Sequence, residues 1–142
     1  MAIKELVDFI DIILNGSEKQ KSELAQTFFK LADTSKRLQK LGLHGSHFVV
    51  RYGVVSHHKN KDGDHTYSVD EWKQICARIN SPLAVTKHGD DYNLYVDVQK
   101  NGKPTLIGVA VKQAGRDLVV NSIKTVFAKK INRTDEILFD AR

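Results

Sequence analysis

The spacing of apolar residues predicts two helices at the start of the chain. Apolar positions recur at helical intervals over residues 3–14 and stop at an Asn-Gly pair. A capping-box pattern, Ser17-Glu-Lys-Gln20, then predicts a second, longer helix that runs to about Leu41. The apolar face of this second helix would consist of Leu24, Phe28, Leu31 and Leu38.

From Phe48 onward the pattern becomes that of β-strands. The stretch FVVRYGVV is rich in β-branched and aromatic residues, so the whole of it favours a strand. A second capping box, Ser68-Val-Asp-Glu71, predicts a helix that continues through Ile79 and ends at the following Asn-Ser-Pro sequence.

Four strands with short connections are predicted after that helix. Their sequences are LAVTK, NLYVDVQK, PTLIGVAVK and DLVVNSIKTVF, and Asn101-Gly102 forms a hairpin turn between the second and the third. The apolar ILF unit near the end would add an edge strand or dock a neighbouring domain. The predicted fold class is α+β, with N-terminal helices followed by a curved antiparallel meander and one helix inserted after its first strand.

Length and composition fit one ordinary globular domain. The 142 residues are 41% hydrophobic and 27% charged, which suffices to bury a core. We divide the domain into a helical part, residues 1–45, and an α+β core, residues 46–142. Acidic residues interrupt the apolar start, so we expect neither a signal peptide nor a membrane span, and a cytoplasmic location. The single cysteine, Cys76, excludes an internal disulfide and has the spacing of a buried hydrophobe.

The net charge of +5 comes from one segment. Residues 112–133 contain a single acidic residue, Asp117, and the rest of the chain is neutral. The basic residues of this band are Lys112, Arg116, Lys124, Lys129, Lys130 and Arg133. A local basic band suits a phosphate-binding surface. It is also compatible with a solvated face that binds no ligand.

The stretch NKDGDHTYSVDEW, residues 60–72, partly matches a calcium-binding loop. The potential ligands are Asn60, Asp62, Asp64, the carbonyl of Tyr67, Ser68 and Glu71. Asn replaces the usual first Asp, and His65 stands where a sharp turn requires Gly. An EF-hand also needs a helix before its loop, whereas the preceding sequence favours a strand. We therefore expect no EF-hand, and keep a weak calcium site as an alternative.

The side chains with catalytic chemistry belong to a histidine-rich segment and a basic strand. They are His57, His58 and His65 in the segment, and Ser122, Lys124 and Thr125 in the strand. Cleavage of RNA without a metal needs a base for the 2′-hydroxyl, an acid for the leaving 5′-oxygen, and donors that stabilise the phosphorane charge. Histidine suits either proton-transfer role. Motifs for nucleotide hydrolysis, ester hydrolysis and zinc proteolysis are missing, and no cofactor is expected.

The order of elements over about residues 50–130 resembles a known group of nucleases. The stretches that support the resemblance are DHTYSVDEWKQICARINSP, NLYVDVQKNGKPTLIGVAVK and VNSIKTVF. They resemble the phage-associated branch of the barnase/EndoU/colicin/RelE-like (BECR) nucleases. The resemblance implies a sheet with an RNA-binding cleft, His65 as acid or base, and Thr125 as a ligand of the scissile phosphate.

Further roles follow from this resemblance. Lys124 or Lys112 would stabilise the additional charge on the phosphate, and His57 or His58 would replace His65. Lys124 and Thr125 point to opposite faces of an ideal strand, so both reach one phosphate only at a bulge or a strand edge. Ser122 with Lys124 is the alternative pair.

Three functions are therefore considered. The first is a toxin-type, metal-independent endoribonuclease that cleaves RNA, tRNA among the candidates, and needs an immunity or antitoxin partner. Its substrate-binding residues would be Lys112, Arg116, Ser122 and Lys130. The second is a non-catalytic module that binds nucleic acid or an acidic protein, and the third is a calcium-responsive interaction domain.

Overall fold

The protein forms a mixed eight-stranded sheet whose core face is covered by helices. The structure is a computed structural model and describes residues 3–57 and 66–141. The helices are α1 (Leu6–Asn15), α2 (Glu18–Leu24), α3 (Lys36–Leu41), α4 (Tyr52–His57) and α5 (Val69–Arg78). The strands are β1 (Ile3–Glu5), β2 (Phe28–Asp33), β3 (His47–Arg51), β4 (Ala84–His88), β5 (Asp91–Lys100), β6 (Lys103–Gln113), β7 (Val119–Ala128) and β8 (Glu136–Asp140).

The sheet combines the predicted meander with strands from the N-terminal part. The strand order is β1-β2-β3-β7-β6-β5-β4-β8. Strands β4 to β7 form the antiparallel meander, and β8 adds the predicted edge strand beside β4. The pairs β1–β2 and β3–β7 are parallel. The α+β class is therefore confirmed, but the sheet is mixed and not wholly antiparallel.

The prediction of a long second helix is wrong. α2 ends at Leu24, and β2 occupies the next part of the predicted helix before α3 begins. Within β2, Phe29 and Leu31 are buried at alternating positions, which is the periodicity of a strand. Ser35 then caps α3, because its Oγ accepts a hydrogen bond from the Leu38 N–H at 3.3 Å. The part predicted as purely helical, residues 1–45, thus contains β1 and β2.

The predicted first strand is right only for its first half. β3 ends at Arg51, and the remaining YGVV sequence forms the start of α4. Val55 on this helix is fully buried in the core, which explains why the segment turns inward. In its described residues, the connection between β3 and β4 therefore contains α4 in addition to the predicted helix, α5.

The core lies between the sheet and the helices. Trp72 and Ile75 of α5 pack there, and both predicted capping boxes are present, one before α2 and one before α5. Cys76 is packed against the same core, and burial raises the pKa of its thiol to about 12, so the thiol stays protonated at neutral pH. Within the described ranges, no helix is long and apolar enough to cross a membrane.

Candidate nucleic-acid interface

The sheet has a second face, directed away from the core. Lys30, Val49 and Ser122 stand opposite one another in β2, β3 and β7. Directly paired residues share a face of the sheet. The next residues along β3 and β7, Val50 and Ile123, belong to the core, so the row through Ser122 lies on the opposite side. We call this side the outer face.

A cleft of about 370 Å³ lies on the outer face where β2 and β3 meet β6 and β7. Its lining residues are Phe28, Val49, Arg51, Lys112, Gln113, Ala114, Val120 and Ser122. We call it the cationic cleft. Arg51 pairs with Phe28 in the sheet, and Lys112 pairs with Val120. The two basic residues therefore lie at opposite ends of the cleft, with the buried Ser122 between them.

The charges of the cationic cleft are not compensated by the protein residues that the structure describes. Arg51 and Lys112 are exposed and form no ion pair there, and none of the lining residues is acidic. Other basic residues are neutralised: Lys124 lies 2.9 Å from Asp91, for example. The cationic cleft consequently has the electrostatic character of an anion-binding site.

A bulge in β7 changes the predicted parity of its polar residues. Thr125 and Ile123 pair with consecutive residues of β6, which leaves Lys124 as the additional residue of the bulge. Alternation resumes after the bulge, so Thr125 lies on the same face as Ser122. The sheet thus has the bulge that was required for neighbouring residues of this strand to serve one surface, and the bulge brings Thr125 to the face of Ser122.

The predicted substrate-binding residues are distributed over the molecule. Lys112 and Ser122 meet in the cationic cleft, and Arg116 lies beside it, since its carbonyl accepts a hydrogen bond from the Gln113 side chain at 3.1 Å. Lys130 lines a separate cleft of about 430 Å³. The basic band of the sequence is therefore not one continuous surface.

The predicted catalytic histidines come shortly after Arg51, a lining residue of the cationic cleft, in the sequence. α4 begins directly after Arg51 and ends at His57. His58 and His65 lie outside the described residues. The roles predicted for these three histidines remain predictions.

The last predicted calcium ligand, Glu71, is already engaged. Its Oε1 accepts hydrogen bonds from the Ser68 N–H and the Lys100 ammonium, both at 2.9 Å, and its Oε2 lies 3.1 Å from the same ammonium. Burial raises the pKa of Glu71, but the hydrogen bonds from Ser68 and Lys100 outweigh this effect and lower the pKa overall. A calcium ion bound to Glu71 would have to displace Lys100.

One argument against an EF-hand, the strand expected before the loop, is corrected by the structure. A helix, α4, comes shortly before the loop, so the argument that a strand leads into it is wrong. Asn60, Asp62 and Asp64 lie outside the described residues. In the part of the chain that is described, no group of three or more Asp, Glu, His or Cys side chains is placed to hold a metal ion.

Two residues of the cationic cleft were missed in the sequence. Phe28 was assigned to the apolar face of a helix, so its place in a strand went unrecognised. Arg51 left a signal: it is the one charged residue in FVVRYGVV. A lone arginine in an otherwise buried strand must lie on a face that reaches solvent.

Comparison with known families connects the chain to a phage protein family. Residues 56–141 match the family model of the phage MuF C-terminal domain, more than half of the 142-residue chain. The chain belongs to this family. No curated protein and no solved structure matches it. The phage association implied by the resemblance is confirmed, whereas the assignment to the BECR nucleases stays a prediction.

The range that matches the MuF C-terminal domain covers only part of the cationic cleft. It includes β6 and β7, and with them Lys112 and Ser122. Phe28 and Arg51 precede it. The cleft of this MuF C-terminal domain protein is therefore composed of residues from both sides of the boundary at residue 56.

Proposed function

We propose that the protein is a metal-independent endoribonuclease of toxin type that binds RNA on the outer face of its sheet. The observation that supports this most is the uncompensated pair Arg51 and Lys112 around Ser122. RNA phosphates bound there would neutralise both cations and release counterions. Arginine also forms two parallel hydrogen bonds to a phosphate, which would fix its orientation.

The dimensions of the cationic cleft suit a stretch of RNA backbone. The length of the cleft follows from the sheet register. Val49 and Ser122 are paired at its middle, and Arg51 lies two residues further along β3. Lys112 is paired with Val120, two residues from Ser122 towards the opposite end. Four residues of strand span about 13 Å. Phe28, half-buried opposite Arg51, offers a ring for stacking of a base.

The proposed reaction is transesterification by the 2′-hydroxyl. This oxygen attacks the adjacent phosphorus and the 5′-oxygen leaves, giving a 2′,3′-cyclic phosphate. Arg51, Lys112 and the Ser122 hydroxyl would stabilise the charge of the phosphorane. Thr125 and Lys124 would contact the phosphate further along β7, and His57, His58 or His65 would transfer protons. An active enzyme of this kind would need an immunity or antitoxin protein.

A second candidate is a module that binds RNA without cleaving it. Within the described part of the chain, no histidine lines the cationic cleft, and cations and a hydroxyl alone bind phosphate without transferring protons. Salt-sensitive binding without turnover would distinguish this candidate from the ribonuclease.

The deciding experiment is incubation of the protein with tRNA and with a structured RNA in EDTA, followed by mapping of the product ends. Products with 2′,3′-cyclic phosphate ends would support the ribonuclease. Intact RNA that nevertheless binds the protein would favour the non-catalytic module. Activity only after addition of calcium would contradict the metal-independent mechanism.

A further inference from the structure

A cluster of three titratable side chains lies on the outer face beside the cationic cleft. The Lys30 ammonium is 2.6 Å from the Asp33 Oδ1, and the His47 Nδ1 is 3.4 Å from the same oxygen. A bulge in β2 between Lys30 and Ala32 turns Asp33 to the outer face, where it pairs with His47 in β3. None of these residues belongs to the range matched by the family model.

His47 points to the same side as the cationic cleft. It is two residues before Val49, so both side chains lie on the outer face. Val49 pairs with Ser122 in the parallel β3–β7 ladder, which brings His47 level with Val120 at the Lys112 end of the cleft. Strand spacing puts the Cα atoms of His47 and Ser122 about 8 Å apart. Side chains at that separation can contact the same phosphodiester.

The orientation of the His47 ring suits proton transfer. Its side chain is 27% exposed, but Nδ1 is buried and has no hydrogen bond within the described residues, although Asp33 is nearby. A neutral ring that carries its proton on Nδ1, the nitrogen nearest to the Asp33 carboxylate, would leave Nε2 as the basic nitrogen. The hydrogen bond from Lys30 lowers the pKa of Asp33, so the carboxylate stays charged. Glu5 lies 3.8 Å from Lys30, and Lys112 lies at the near end of the cationic cleft.

We propose that His47, oriented by Asp33, is the proton acceptor for RNA cleavage in the cationic cleft; this inference rests on the proposed function. His47 Nε2 takes the proton of the 2′-hydroxyl while O2′ forms its bond to phosphorus. The bond from phosphorus to the 5′-oxygen breaks, and the 5′-oxygen takes a proton from water. The hydroxide left by that water removes the proton from the imidazolium, which Asp33 stabilises in the meantime.

The test compares His47→Ala and His47→Gln with a matched control, His88→Ala, in the full chain. His88 also approaches a carboxylate, with its Nδ1 3.1 Å from Asp135, but it is on β4, three strands away from β7. We expect both His47 variants to lower kcat at least about 100-fold, with KM changed less than about threefold. The rising limb of the pH profile of kcat should disappear, and added imidazole should restore part of the activity of His47→Ala. His88→Ala should keep wild-type kinetics.

Asp33→Asn tests the positioning role separately. It should lower kcat by about tenfold with little change in KM, because the ring loses its oriented partner. An unchanged kcat in this variant would remove Asp33 from the proposal.

Other outcomes would overturn the role of His47. If the wild-type protein cleaves RNA and both His47 variants retain kcat within about twofold, the inference is wrong and the ribonuclease proposal stands. A lower kcat with an unchanged pH profile and no rescue by imidazole would show a structural role and also refute it. If the wild-type protein binds RNA but never cleaves it, the ribonuclease proposal and the inference fail together.

Discussion

At the scale of single residues, Asn121 fixes the loop that leads into β3. Its fully buried Nδ2 contacts the Thr34 hydroxyl at 2.8 Å and the carbonyls of Leu43 and Gly45 at 3.2 Å. Its Oδ1 accepts a hydrogen bond from the Gly45 N–H at 3.1 Å. A Cβ at Gly45 would lie 2.3 Å from the backbone of β7, so only glycine fits there. This buried amide holds β3 beside β7, and with it one side of the cationic cleft.

Replacement of Asn121 by Ala should therefore destabilise the protein. We expect the free energy of unfolding to fall by about 2–3 kcal/mol, since several buried groups lose their partner. Urea unfolding monitored by circular dichroism measures this loss. Asn15→Ala, at an exposed helix end, is the control and should change stability by less than about 0.5 kcal/mol. Equal losses in the two variants would contradict the role of the buried amide.

A second prediction at this scale concerns Glu71 and pH. Because its pKa is lowered in the folded protein, Glu71 contributes stability above its ordinary pKa of about 4.3, and this contribution is lost as the pH falls through the folded value. Glu71→Gln should lower stability by about 1 kcal/mol at pH 7. The difference from the wild type should vanish in acid below the folded pKa. Urea unfolding at both pH values, with the exposed Glu18→Gln as control, checks this, and a pH-independent difference would refute it.

Which residues have the chemistry of the site was easier to predict than which residues lie next to one another in space. Lys112 and Ser122 were recognised from charge and strand chemistry, and they meet in the cationic cleft. Arg51 was not recognised, because its importance depends on pairing between β3 and β7, which are far apart in the chain. His47 was not recognised for the same reason: only the sheet shows that it shares a face with Ser122.

At the scale of elements, sequence signals were reliable where the structure depends on interactions within one short segment. The capping boxes and the β5–β6 hairpin were predicted, and Asn101 and Gly102 both have positive φ, 54° and 77°. β2 was missed because its leucine and phenylalanine positions fit helical spacing equally well. Pairing with β1 and β3 selects the strand, and such non-local pairing leaves no signal within the segment.

Two glycines provide a matched test of the assigned elements. Gly102→Ala should lower the free energy of unfolding by about 1 kcal/mol, because the turn requires positive φ there. Gly53→Ala should raise it by up to about 1 kcal/mol, since Gly53 is in α4 and an added Cβ meets no atom within 4 Å. Thermal unfolding of both variants checks the assignment. Destabilisation by Gly53→Ala would argue against a helix at this position.

At the scale of the whole molecule, the sheet joins the part of the chain that matches the family model to the part that precedes the match. The family match begins at residue 56, yet β3 pairs with β7, and Phe29 and Phe48 are fully buried in the shared core. A fragment of residues 56–141 would lose these contacts and expose the edge of β7. The parallel pairing that unites the two parts was not predictable from local patterns.

We expect the fragment 56–141 to be unfolded or aggregated when it is produced alone. Size-exclusion chromatography and circular dichroism, with the full chain under identical conditions as control, measure this directly. A monomeric fragment with a cooperative thermal transition would contradict the conclusion that residues 56–141 need β1–β3 in order to fold.

The most direct test of the whole account is the salt dependence of single-stranded RNA binding. The full chain is compared with Arg51→Ala/Lys112→Ala and with the control Lys40→Ala/Lys73→Ala, which removes two exposed charges from α3 and α5. Each phosphate contact contributes about 0.7 to the slope of log affinity against log salt, so loss of two contacts should reduce it by about 1.4. We predict this reduction, with roughly tenfold weaker binding, for the cleft variant alone. Equal slopes in all three proteins would show that RNA does not bind the cationic cleft.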